Sequence, residues 1–224
     1  MDRAPVVLDL PFTGSWLVQN SPARRVPSHG TDLLGSRYAI DFVAVDERRR
    51  STPDRTWRSW LATEPPHLFL GFGAPILAPV TGTVVATHDG ETDHEARRSQ
   101  LTLVPYALGQ GRRLRQGPAA IAGNHLVIAL GPGGPYVALA HLKAGSLRVA
   151  VGKVVEAGEH VADCGNSGNS TEPHLHLQVS DRLDLTRARG VPIVFRSFSQ
   201  SAGAASTSRE NAVPAERSVV RPLS

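Results

Sequence analysis

The stretch Gly165-Asn166-Ser167-Gly168-Asn169-Ser170-Thr171-Glu172-Pro173-His174-Leu175-His176-Leu177 decides how this chain is read. A strand after Pro173 alternates its side chains, sending His174 and His176 to one face and Leu175 and Leu177 to the other. Two imidazoles on one sheet face begin a metal site. Upstream, Gly165-x-x-Gly168 has the spacing of a phosphate cradle, but no Lys-Ser or Lys-Thr follows it and no helix signal begins there. It is expected to be a tight turn that feeds the histidine strand.

Working outward from this run, short strand-like segments separated by Gly, Pro and Asn dominate, and patterns of period 3.6 are scarce. Residues 38–45 alternate, residues 75–87 carry β-branched side chains around Pro79 and Gly82, and residues 125–130 and 136–142 flank the turn Gly131-Pro132-Gly133-Gly134 as a hairpin. Two short apolar pieces hinge at Gly158 within 152–162, and 190–198 reads as a closing strand. The expected fold is mostly β, an antiparallel sandwich or partly open barrel. Two Arg-rich insertions, 47–70 with Trp57 and Trp60, and 90–117, are expected as surface loops, one with a helical turn. The organisation that follows is an N-terminal extension over 1–24, one β domain over 25–199, and a disordered tail over 200–224 that lacks apolar periodicity.

Composition narrows the function classes. Of 224 residues, 41% are apolar and 20% charged, which is ordinary for a soluble globular domain with a sizeable core. The net charge of +4 arises from clusters such as Arg48-Arg49-Arg50 and Arg112-Arg113, not from a basic stripe with interleaved aromatics. Attraction to an anionic polymer fits this pattern; nucleic-acid recognition does not. Cys164 is the single cysteine, so no internal disulfide forms, Cys-rich zinc modules are excluded, and the residue is read as a small buried side chain. No apolar window reaches the length of a membrane helix, and the Pro- and Asp-broken N-terminus offers no signal-peptide core. Localisation stays open on these grounds, and a monomer is expected.

A zinc hydrolase needs about three protein ligands and one open position, with His nitrogens and carboxylate oxygens as common donors. In Tyr38-Ala39-Ile40-Asp41-Phe42-Val43-Ala44-Val45, alternation puts Asp41 on one face with Ala39, Val43 and Val45. A carboxylate on an apolar surface is costly unless compensated, and a metal compensates it; hydrogen bonds from backbone or Arg at a sheet end are the other reading. His141 ends the apolar run Tyr136-Val137-Ala138-Leu139-Ala140-His141-Leu142. Alone it is a core residue. Beside a metal site it is a general base or a donor to a developing oxyanion.

The segment 152–177, the triplet Ala140-His141-Leu142 and the Tyr-Ala-Ile-Asp-Phe run together resemble the lysostaphin-type (LytM-like) zinc endopeptidases, which cleave peptide cross-links of bacterial peptidoglycan. The resemblance covers roughly residues 25–198. It implies that Asp41 and His176 bind Zn2+ and that His141 and His174 are catalytic. The usual family pattern puts a first ligand His four residues before the Asp, a position that here is Arg37, whose guanidinium stays protonated and does not ligate zinc. Similarity to variants with an earlier His assigns that role to His29, twelve positions before Asp41, carried on a loop hinged at Gly30 and Gly35. Otherwise His29 is a loop residue and the site is incomplete. Asp32 ranks below Asp41 as a ligand, or orients the His29 ring from outside. His125 is read as structural, and His67, His88, His94 and His160 as solvated loop or turn residues.

The resemblance implies a zinc metalloendopeptidase acting on a peptidoglycan peptide, and hence work outside the cytoplasm. No His-Glu-x-x-His run occurs, which excludes a thermolysin-like scheme. The alternative is a catalytically inactive LytM-like binding or regulatory domain. A lipoyl- or biotinyl-carrier reading fails on its lysines, since Lys143 and Lys153 stand in no modification motif.

Overall fold

The computed structural model describes residues 4–53, 63–97, 118–203 and 205–223. Its thirteen strands are β1 Val6–Leu8, β2 Trp16–Gln19, β3 Ile40–Ala44, β4 Pro75–Leu77, β5 Gly82–His88, β6 Asn124–Ala129, β7 Tyr136–Leu142, β8 Val154–Val155, β9 His160–Asp163, β10 Leu175–Ser180, β11 Ile193–Ala202, β12 Ala205–Ala212 and β13 Val219–Pro222. Short 3-10 turns occupy Leu33–Tyr38 and Pro66–Leu68, and among the described residues one short helix, α1, spans Pro118–Ala122. The protein is mostly β, as expected.

Eleven strands form one large sheet in the order β1-β11-β13-β2-β3-β10-β7-β6-β5-β8, with β12 added on β11, while β4 and β9 pair separately. Every pair is antiparallel except β1 with β11. The sheet is therefore mixed, and it does not close into a barrel.

The core explains why the chain folds this way. Ile40 and Phe42 on β3, Leu175 and Leu177 on β10, and Val137 and Leu139 on β7 are buried on one sheet face, where they join Ile76 of β4 and Val161 of β9. The hairpin between β6 and β7 turns where the sequence places it, with Gly134 N–H donating to Gly131 O at 3.1 Å. Cys164 is fully buried within this cluster, and burial pushes its thiol far up, so it is inert as a nucleophile.

Both expected domain boundaries need correction. Phe12 stacks on Trp16 at 4.5 Å between centroids and meets Phe42 edge-on at 4.9 Å; Phe42 in turn meets Phe195 at 5.6 Å. Residues 4–24 therefore supply strands and aromatic core, not an appendage. Nor is the region after residue 200 a disordered tail. β12 extends β11 as a hairpin, and β13 inserts between β11 and β2 with Val220 fully buried. The polar, exposed β12 is held by backbone pairing, which leaves no hydrophobic period to read.

The expected insertions are described only in part. Pro66–Leu68 supplies the helical turn, whereas Trp57, Trp60 and residues 98–117 lie outside the described residues.

Candidate metal centre

Strand register builds the site. β3 and β10 pair so that Asp41 lies directly opposite His176, and β10 pairs with β7 so that His176 lies opposite Ala140. Directly opposed residues hold their Cβ atoms about 4.5–5.5 Å apart, which brings carboxylate and imidazole together without any loop. His176 Nδ1 lies 2.9 Å from Asp41 Oδ1.

His29 arrives by a folded-back loop. Gly30 and Gly35 both take positive φ, 73° and 77°, in the left-handed region that glycine enters freely. Ser28 N–H donates to Arg37 O at 3.0 Å, and Ser28 Oγ–H reaches Ser36 O at 3.3 Å, which ties the start of the loop to its end. His29 Nε2 then lies 3.0 Å from Asp41 Oδ2. Arg37 turns away, bidentate on Asp32 at 2.8 and 3.0 Å with its guanidinium 5.7 Å from the Tyr38 ring centre. Asp32 is thus committed to Arg37 and neither faces the site nor orients His29.

The donor atoms of His29, Asp41 and His176 all lie within 4.8 Å of one another. Around a tetrahedral zinc with bonds of about 2.0–2.2 Å, ligand atoms stand roughly 3.3–3.6 Å apart, so the three need only small movements to share one cation. The hydrogen bonds on the far side of each ring favour this. His29 Nδ1 lies 3.0 Å from Ser28 Oγ, and His176 Nε2 lies 3.0 Å from Gln178 Oε1. When those outer nitrogens carry the protons, the inner nitrogens present lone pairs toward Asp41. The donor set therefore fits zinc.

His141 and His174 face the same space. His141 Nδ1–H donates to Ser167 O at 2.9 Å, and His174 Nδ1–H donates to Glu172 O at 2.8 Å, so each Nε2 points inward, that of His174 to 3.9 Å from Asp41 Oδ1. Their ring centres are 4.7 Å apart, and His141 is 5.9 Å from the His176 ring. His141 holds φ of 61°, a left-handed conformation unusual for a side-chain-bearing residue and common where a site fixes its geometry. A cavity of about 590 Å³ opens over this constellation.

Electrostatics follow from burial and neighbours. Burial alone would raise the Asp41 carboxyl, but the charge of His29, hydrogen bonds from His176 and His29, and the charge of His174 outweigh it and hold Asp41 well below the ordinary range. Burial would lower His176, yet its hydrogen bond to Asp41 and that charge raise it. Burial, joined by the charges of His174 and His176, holds His141 well below an ordinary histidine, so its ring is neutral.

Several contributors escaped sequence reasoning. Asn20 Nδ2 donates to Asp41 Oδ2 at 2.7 Å from the N-terminal strand region, with no motif to announce it. Gln178 shares the His176 face by alternation, a signal that was available. His94 is not a solvated loop residue: its Nε2 lies 2.9 Å from Gly168 O, and its backbone O accepts from Asn166 Nδ2 at 2.6 Å. Nearby, Asp93 accepts from Asn166 N–H and Ala144 N–H, so this loop braces the turn before the histidine pair. That turn is as tight as expected, since a Cβ on Gly168 would stand 2.4 Å from Gly123 N. His88 and His125 stack at 5.6 Å across β5 and β6, His160 pairs with Asp163, and His67 is exposed.

The sheet thus sets Asp41 and His176 face to face, the loop adds His29, and His141 and His174 turn toward the same point, an arrangement able to hold a metal ion. The family model described as Peptidase family M23 matches residues 99–188, a span that contains His141, His174 and His176 but neither His29 nor Asp41. The resemblance to lysostaphin-type peptidases stands on that match. Among solved structures, the catalytic domain of the antimicrobial peptidase lysostaphin from Staphylococcus simulans is 18% identical, with 71% of this chain and 80% of that chain covered at a TM-score of 0.38. A mutant catalytic domain of the prophage-encoded M23 protein EnpA from Enterococcus faecalis is 17% identical, covering 86% and 92% at 0.40. A putative glycyl-glycine endopeptidase lytM from Ruminococcus gnavus is 16% identical, covering 83% and 57% at 0.42. No curated protein matches the chain significantly.

Proposed function

We propose that this protein is a zinc-dependent endopeptidase that hydrolyses peptide bonds in peptidoglycan cross-links, with His29, Asp41 and His176 as metal ligands. The observation that carries the reading is the convergence of those three donor sets within 4.8 Å while His141 and His174, each held through Nδ1, face the same cavity. When bound, zinc supplies Lewis acidity that lowers the pKa of water toward neutrality and polarises a carbonyl.

This chain's residues do the rest. His141, neutral and fixed through its Nδ1–H on Ser167 O, accepts the proton of the attacking water at Nε2. His174, held through Nδ1 by Glu172 O, points Nε2 to the same space 3.9 Å from Asp41 Oδ1, where it is placed to stabilise the developing oxyanion. Asn20 and the two ligand rings keep the Asp41 carboxylate ionised and aimed. Gln178 holds the His176 ring from behind, and Ser28 does the same for His29.

Elemental analysis of the purified protein, paired with digestion of purified peptidoglycan, tests the reading. One zinc per chain and released peptides are expected. A zinc-loaded protein that binds peptidoglycan without cutting it would overturn the activity and leave an inactive binding or regulatory domain.

A further inference from the structure

Beside the metal centre the sheet face is built from unusually small side chains. Ala140 and Ala138 of β7 lie opposite His176 and Gln178, and Val127 of β6 lies opposite Ala138. Above this floor stand Leu34, Ile121 and Leu185, and the space between is a cavity of about 80 Å³, room for several water molecules. His141, His176 and Gln178 border both this cavity and the one over the metal centre, so the two adjoin.

The roof is held in place. Leu34 takes a left-handed backbone, φ 57° and ψ 21°, and its carbonyl accepts from Gln178 Nε2 at 2.8 Å. Such strain in a residue with a branched side chain persists only where its surroundings impose it, and here it hangs an aliphatic group over two alanines. Ile121 O accepts from Asn169 N–H at 2.9 Å, which fixes the end of α1 to the turn before His174.

We propose that this cavity is a subsite for one aliphatic side chain of the substrate, on a residue flanking the scissile bond. The inference rests on the peptidase reading for the identity of the ligand as a peptide. Glycine would leave the cavity to poorly bonded water, and a polar side chain would meet an aliphatic floor and roof, the polar lining being confined to His125, His141, His176 and Gln178; a branched aliphatic group displaces that water with gain. The preferred peptide therefore carries an alanine-to-leucine-sized residue, not an uninterrupted run of glycine.

The test uses capped pentapeptides Gly-Gly-X-Gly-Gly, with X as Gly, Ala, Leu or Asn, titrated by calorimetry into the full chain stripped of metal, so that no turnover intervenes. The Leu peptide is expected to bind about tenfold or more tighter than the Gly peptide, with Ala between them and Asn no better than Gly. Ala138→Leu, which fills the cavity from the floor, is expected to bring the Leu-to-Gly ratio close to one. Ile121→Ala, which opens the roof without crowding the sheet, is expected to reduce the same ratio and guards against a misfolded first variant. Equal affinities for the Gly and Leu peptides, or no binding of either, overturn the subsite, as does a Leu advantage that survives both substitutions. Failure of the peptidase reading registers separately, as a zinc-loaded chain that binds the Leu peptide yet cuts none of the four.

Discussion

Replacing His29 by Ala probes the residue on which the metal centre depends. The substitution removes one of three donors, and the polar groups described around His29 do not replace it: Arg37 does not ligate, Asp32 is held by Arg37, and Asn20 already donates to Asp41. Disturbing an outer partner of a ligand costs about 10–100-fold in metal affinity, so loss of the ligand itself should cost at least about 100-fold. At a fixed excess of zinc, a 100-fold weaker Kd removes about 2.7 kcal/mol of ligand-linked stability. For a chain of this size each kcal/mol moves Tm by about 2–4 °C, so the zinc-induced rise in Tm should shrink by about 5–10 °C. The assay is thermal unfolding of chelator-treated protein with and without added zinc, alongside elemental analysis after desalting. Asp32→Asn serves as control and is expected to behave like the parent, because Asp32 faces Arg37 on the exposed side of the loop. A His29→Ala protein that keeps one zinc per chain with Kd within about threefold of the parent would refute the assignment.

His141→Ala and His174→Ala are expected to retain zinc while hydrolysis falls by about 10²–10⁴-fold, measured as peptide release against metal content; loss of zinc with activity would make them ligands. In the metal-free protein His141 contributes a loss of stability on acidification, opposed by His176 with its raised pKa, because burial and the neighbouring His174 and His176 hold folded His141 below its unfolded pKa of about 6.5. The unfolded chain takes up that proton first, so the contribution is full above about pH 6.5 and is lost as pH falls through the folded value; urea unfolding from pH 8 to 5 should show the decline, and His141→Phe should flatten it. Asp41 adds a second loss at lower pH, since its folded pKa also lies below its unfolded one. Truncation after Ala212 removes β13 with its buried Val219 and Val220, for a loss of about 3–6 kcal/mol by urea unfolding; an unchanged midpoint would mean the strand is dispensable.

Much of the fold is legible in the sequence where a strand buries one face and polar residues mark its ends. β3, β6, β7 and β10 carry that alternation, and Gly131-Pro132-Gly133-Gly134 announces the hairpin. The terminal regions are not legible in this way. β1 is three residues long and pairs parallel with β11, a partner 187 positions away by its register of Val6 with Ile193. β12 is exposed along its length, so its membership in the sheet comes from backbone hydrogen bonds that any polar sequence can make. A period-based reading sees burial, and backbone pairing without burial is invisible to it.

The site divides along a similar line. Asp41 is visible because it puts a charge on an otherwise apolar strand face, and His176 because alternation sets it on one face with His174; the register then brings Asp41 and His176 face to face. His29 has no such signature. Its position depends on two glycines entering the left-handed region and on the bonds Ser28 N–H to Arg37 O and Ser28 Oγ–H to Ser36 O, each joining residues eight or nine apart with unremarkable side chains. The same loop carries Leu34 over the sheet and gives its carbonyl to Gln178, whose other amide atom holds the His176 ring. On the proposed ligand set, the first donor at position 29 instead of 37 leaves a longer loop before Asp41, and that same loop roofs the cavity with Leu34, so the proposed ligand placement and the proposed subsite are coupled through one segment of chain.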